Sequence, residues 1–200
     1  TANAALAYNT LKTARGQQTQ LRLPDGTLVF LNAESSLKYP NNFAASKTRK
    51  VFLTGEGFFE VAKDRAHPFI VQSKQQSVEV LGTHFNVNAY EDNKEVKTTL
   101  LEGNVRVSSE SGYLSKLLNP GQQAKVSENV IDVVNVQTED AVAWKNGRIM
   151  YEAEPLENIM NDVARWYNVQ VVYKDEKVKD KTFFVSISRK DNVCTLFKLL

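Results

Sequence analysis

From Gln17 to about Val136 the chain is written in short apolar or alternating runs separated by turn residues. In VFLTGEGFFEV, Val51, Leu53, Phe59 and Val61 share one parity, and Thr54, Glu56 and Glu60 share the other. Strand side chains alternate between faces, so this spacing predicts a half-buried strand with Glu56 and Glu60 on its wet face. Gly55 and Gly57 inside it predict a bulge or bend. Pro24-Asp25-Gly26 divides LRL from TLVFL and predicts a hairpin, because proline presets φ and glycine accepts positive φ. The alternation returns at Val78/Val80, Phe85/Val87, Val105/Val107 and Val130/Val134/Val136, with turn signals at Gly82, Gly103 and Asn119-Pro120-Gly121. Many short strands at such spacing predict a sandwich, roll or β-solenoid rather than a parallel sheet with crossover helices. A faint echo between LTGEGFFEV and LEGNVRV fits stacked turns of similar geometry.

Beyond Trp144 the period changes. Leu156, Ile159, Met160, Val163, Ala164 and Tyr167 fall on one face of a helix of about three turns. Pro155 suits its first position and Asn168 a left-handed stop. VQVVY (169–173) and TFFVSI (182–187) read as strands, and Asp191 as the cap of a second helix with Val193, Leu196, Phe197 and Leu200 on one face. With Arg148–Tyr151 as a further strand, the segment reads β-α-β-β-α, a small α+β module whose helices cover one sheet face. The unpartnered face of the last helix predicts further strands beyond Leu200.

Charge changes the picture little. Across 200 residues, 25 basic side chains oppose 23 acidic ones, and the densest basic run, Lys47, Arg49 and Lys50, is short, which argues against nucleic acid. No window approaches the roughly 20 apolar residues of a membrane helix. The opening TANAALAYNT has neither the basic start nor the apolar centre of a signal peptide and reads as part of something longer. The single cysteine, Cys194, lies on an apolar helical face and reads as a small buried hydrophobe.

Candidate chemistry is sparse. His84 stands alone in VLGTHFNVNAY, and His67, the other histidine, precedes Pro68 at a turn, so the pair makes no metal site of the β-roll kind. No G-x-S-x-G is present. Glu56 and Glu60 would project from one strand face roughly 13 Å apart, too far for a glycosidase pair. Gly55-Glu56-Gly57 lacks the third glycine of a dinucleotide fingerprint and leads into a strand. The pairs Phe58/Phe59, Trp166/Tyr167 and Phe183/Phe184 each put one ring on a face that a simple core does not need. No catalytic, cofactor or metal residue is assigned.

RGQQTQLRLPDGTLVFLNAESSLKYP, RKVFLTGEGFFEVAKDRAHPFIV, VEVLGTHFNVNAY, TTLLEGNVRV and LNPGQQA resemble, in order and spacing, the periplasmic FecR domain of transmembrane anti-sigma regulators of Bacteroidetes type. AWKNGRIMYEAEPLENIMNDVARWYNVQVVY resembles the module that follows it, similar to the short N-terminal domain of secretins and TonB-dependent receptors. The resemblance implies a mainly β chain: a segment 1–16 after a membrane helix, an all-β sandwich or solenoid-like roll over 17–143, and an incomplete α+β module over 144–200. It implies no catalysis and no cofactor. It implies a periplasmic portion of a single-pass inner-membrane protein that takes a signal from the signalling domain of an outer-membrane TonB-dependent transporter. An extracytoplasmic-function sigma factor would be bound by a cytoplasmic segment. Docking is expected by strand addition at a module edge formed by Val169, Val171 and Tyr173 or by Phe183, Val185 and Ile187. The rival reading is a carbohydrate- or small-ligand-binding β-module of an extracellular protein, which predicts a groove lined with aromatic rings.

Overall fold

A computed structural model describes residues 7–44, 46–128, 130–191 and 194. Thirteen strands form the β-rich part: β1 (Tyr8–Lys12), β2 (Thr19–Arg22), β3 (Leu28–Leu31), β4 (Ser36–Pro40), β5 (Arg49–Glu60), β6 (Phe69–Gln72), β7 (Gln76–Val80), β8 (His84–Ala89), β9 (Val96–Glu102), β10 (Val105–Ser109), β11 (Ser115–Leu118), β12 (Gln122–Ser127) and β13 (Val130–Asn135). The twelve-residue β5 belongs to two sheets. Its first half lies between β4 and β6, its second between β3 and β8. One sheet therefore runs β11-β10-β7-β6-β5-β4-β1 and the other β2-β3-β5-β8-β9-β12-β13.

The change of sheet falls at Gly55, whose φ of +86° is left-handed and whose missing Cβ would sit 2.8 Å from the Ser35 Cα. The bend expected of a strand glycine is thus realised where β5 leaves one sheet for the other. Both sheets turn alternate side chains inward onto one core: Leu37, Val51, Phe69 and Val78 from the first, Val29, Phe59, Phe85 and Leu100 from the second. Phe59 and Phe85 stack at its centre, centroids 5.2 Å apart. The arrangement is a sandwich, and β5–β6 is the one parallel pair among the described residues. The two echoing segments lie in β5 and across the β9–β10 turn, which are not neighbours. The Pro24-Asp25-Gly26 hairpin forms as expected between β2 and β3. Strand β1, for which the opening segment gives no pattern, pairs with β4.

The C-terminal part contains α1 (Thr138–Val142), a 3-10 turn at Ala143–Asn146, β14 (Arg148–Pro155), α2 (Leu156–Tyr167), a second 3-10 turn at Glu176–Val178 and β15 (Thr182–Ser188). Helix α2 ends at Asn168 with φ 52°, the expected left-handed stop. Pro155 stands one position earlier than expected, closing β14 and preceding the helix. Strands β14 and β15 pair antiparallel, and Ile149, Val185 and Ile187 meet Ile159, Met160 and Val163 of the helix in a second core.

Two expectations are corrected. VQVVY is not a strand: Val169, Val171 and Tyr173 do turn towards the second core, but among the described residues the segment has no ladder partner, and the module's sheet is β14 and β15 alone. Alternation records which side faces a core and supplies no neighbouring backbone. Cys194 is exposed, not buried. The helix expected from Asp191 with Val193, Leu196, Phe197 and Leu200 lies outside the described residues. Among the described residues no helix is long and apolar enough to cross a membrane.

Candidate functional site

The outer face of the second sheet is where the structure departs furthest from a simple amphipathic strand. Glu56 and Phe58 share the parity of β5 that points out of the sandwich, and both are nearly buried, at 6% and 4% exposure. The C-terminal part lies over them: Phe58 and Ala33 belong to the core built by β14, α2 and β15. The expectation of a wet face for Glu56 is therefore wrong. Period-2 patterning identifies two faces of a strand and cannot say that the second is covered by a later segment.

Strand pairing sets three polar side chains together on this face. Asn32 follows β3, and its backbone N–H donates to the Glu56 carbonyl. Asn86 lies on β8, opposite Phe58. The Asn32 amide donates to Glu56 Oε2 at 2.7 Å and the Asn86 amide to Oε1 at 2.9 Å. The amide oxygens face the C-terminal part. Trp166 Nε1 of α2 donates to Asn32 Oδ1, and Trp144 Nε1 of the 3-10 turn donates to Asn86 Oδ1, both at 3.2 Å. Each tryptophan of the chain, of which there are two, thus reaches the same carboxyl through one amide. Buried polar groups cost free energy unless paired, and here indoles, amides and carboxyl satisfy one another.

Around this chain of bonds the charges are unevenly matched. Asp162 of α2 accepts from Tyr151 and, at 2.6 Å, from Arg165. The buried Arg165 guanidinium lies 3.7 Å from the Tyr90 ring centre and also pairs with Asp92 and, at 3.9 Å, with Glu34. Burial, then the negative charge of Asp162, pushes the Glu56 carboxyl from 4.5 up to about 7, against the lowering effect of the two amides. Burial likewise raises Asp162, with Arg165 opposing. At the rim, Lys145 pairs with Glu60 at 3.3 Å and lies over the Phe58 ring, while Lys97 pairs with Glu154 at 2.7 Å. A polar cleft of about 260 Å³ remains between Lys97, Gln123 and Lys125 of the sandwich and Glu152 and Glu154 of β14.

Two family models match the chain, "FecR protein" over residues 9–106 and "FecR, C-terminal" over residues 148–200. A comparison with curated proteins finds no match. Among solved structures, a crystal structure at 1.65 Å of a proposed anti-sigma factor from Parabacteroides distasonis ATCC 8503 superposes with a TM-score of 0.88. It shares 31% identity over 95% of this chain and 89% of that one. A second crystal structure so described, from the same organism and at 2.50 Å, gives 0.89 and 31% over 96% and 90%. The chain belongs to the FecR family.

In this FecR-family chain the six residues expected at a docking edge are not a surface patch. Val185 and Ile187 are buried in the second core, and Val169, Val171, Tyr173 and Phe183 pack half-buried against it. The opposite parity is open instead, with Phe184 73% and Val172 86% exposed. Of the histidines, His84 opens β8 opposite Glu102, 3.3 Å away, and His67 bonds Asp64 at 2.8 Å. Among the described residues no group of three metal-ligating side chains comes together. The Asn32-Glu56-Asn86 group was not picked out from the sequence. The available signal was the adjacent pair Phe58/Phe59, which requires both faces of β5 to be covered.

Proposed function

We propose that this chain is the periplasmic, signal-receiving portion of an anti-sigma factor, and that it works by binding and relay without catalysis. The observation that carries this reading is the likeness, along nearly the whole chain, to a protein described as a proposed anti-sigma factor. The partner is the signalling domain of an outer-membrane TonB-dependent transporter. The sigma factor, of the extracytoplasmic-function class, is met by a cytoplasmic segment joined to this portion through a single membrane helix. The chain divides functionally into the sandwich and the C-terminal module, and the module presents the docking surface. Among the described residues β15 pairs only with β14, so its other edge offers main-chain donors and acceptors for strand addition, with Phe184 beside it. Val169, Val171, Tyr173, Phe183, Val185 and Ile187 then support that edge from beneath instead of touching the partner.

The rival ligand-binding reading asks for open aromatic rings. Both indoles near the polar cleft are nearly buried with their N–H groups engaged. The test is titration calorimetry of the purified chain with the signalling domain of the transporter encoded beside it. Binding that Phe184→Glu weakens at least tenfold, with unfolding unchanged, is the expected result. No binding, or binding indifferent to Phe184, would overturn the docking surface.

A further inference from the structure

Glu56 is the point at which the two indole attachments of the C-terminal part converge, and its partners cannot rearrange independently. Asn32 Oδ1 accepts from Trp166, Gln18 and the Ala33 N–H, and Asn86 Oδ1 accepts from Trp144. Turning either amide over would set an NH2 group against an indole N–H, so both must present NH2 to Glu56. A carboxylate accepts both. A carboxylic acid also keeps a lone pair on each oxygen, and Glu56 borders the polar cleft into which its O–H can point. Both protonation states therefore fit the same bonds, and they differ in charge.

Every element packed on Glu56 bears on that charge. The sandwich brings Tyr90, and Asp92 and Glu34 by way of Arg165; the 3-10 turn brings Lys145, held by Glu60 over Phe58; α2 brings Asp162 and Arg165; β14 brings Tyr151 and Glu154, the last held by Lys97 and Asn158. One buried carboxyl, Glu56, and one half-buried carboxyl, Asp162, thus face one buried guanidinium, and Arg165 is shared with two surface carboxylates. The surplus is negative and sits away from water, where it costs most.

We propose that Glu56 is a proton-operated latch: taking up a proton tightens the grip of the sandwich on Trp144 and Trp166, and losing it loosens both indoles and the helix that carries one of them. The proposal goes beyond the signalling role and does not depend on it; its biological use would be to make the docking module's attachment follow the acidity of the surrounding compartment. The direction follows from linkage. Held in place, the carboxyl keeps its proton up to about 7; released into water it would return to 4.5. The grip is therefore fullest below the lower value and fades as pH rises through the upper one. Between them the docking constant falls about tenfold per pH unit, the mark of one proton.

The experiment is urea unfolding of the chain alone, followed by tryptophan emission, from about pH 5 to about pH 8. Both indoles report, because the chain has no others. The expected result is a midpoint that falls across this range in the parent chain, falls much less in Glu56→Gln, and completes its fall at lower pH in Asp162→Asn, where the neighbouring charge is gone. Should Glu56→Gln fail to fold, Asp162→Asn decides by itself, since an asparagine oxygen still accepts from Tyr151 or Arg165. A parent midpoint that is flat or rises, a Glu56→Gln profile as steep as the parent's, or an Asp162→Asn profile that does not move would overturn the latch. No transporter or sigma factor is present, so this failure is distinct from failure of the signalling role.

Discussion

At the scale of single residues, Gly55 and the two tryptophans carry the sharpest consequences. At Gly55 a methyl group would meet Ser35 backbone and side chain at 2.4–2.8 Å in a left-handed conformation. Ser35 cannot give way freely, because its hydroxyl accepts the Glu56 N–H and donates to the Ala33 carbonyl. Gly55→Ala is expected to lower stability by about 3 kcal/mol, read as a shift of the denaturant midpoint. The tryptophans should differ from each other. Asn32 Oδ1 keeps two other donors when Trp166 is replaced, whereas Asn86 Oδ1 loses the one donor it has among the described residues with Trp144. Trp144→Phe should therefore cost about 1 kcal/mol more than Trp166→Phe, the cost of an orphaned buried acceptor, and equal losses would contradict the bonding described. Gly55 and Asn168 were legible in the sequence because a backbone requirement acts locally. Glu56 was not, because its burial is the work of residues about ninety and more positions away.

At the scale of elements, the strands of the sandwich and the one long helix follow their periodicity. The β2–β3 hairpin, β5 and α2 appear where apolar spacing and turn residues place them. Two elements show what periodicity leaves open. Strand β5 has one continuous pattern yet serves two sheets, and the pattern contains nothing about which neighbours it meets before and after Gly55. The segment 169–173 keeps a strand's alternation with no strand paired to it among the described residues. A ladder needs two backbones in register, and a sequence window describes one. Because Phe183, Val185 and Ile187 of β15 are committed to the second core, the expected docking contact is the main-chain edge of that strand together with Phe184.

At the scale of the molecule, the second core joins parts that are far apart in sequence. Phe58 and Ala33 of the sandwich pack with Trp144, Ile159, Val163 and Trp166, and the rim adds Lys97–Glu154 and Lys145–Glu60 across the same boundary. The whole chain is accordingly expected to unfold in one transition, with tryptophan emission and far-ultraviolet circular dichroism coinciding. A chain ended at Val136 should melt lower and bind an apolar dye, since Phe30, Phe58 and Leu101 would lose their cover. Separate transitions in the whole chain, or an unchanged melting temperature in the shortened one, would show that the two parts are energetically independent. The sequence by itself determined the β-rich character, the turns, the helix and its stop, and the family, since each is written in local periodicity or in consecutive motifs. Tertiary structure alone decided that β5 is covered on both faces, that Glu56 is dry and joined to both indoles, and that 169–173 pairs with no strand among the described residues. Those outcomes depend on which distant surfaces meet, and burial and charge follow from the meeting, not from the residue.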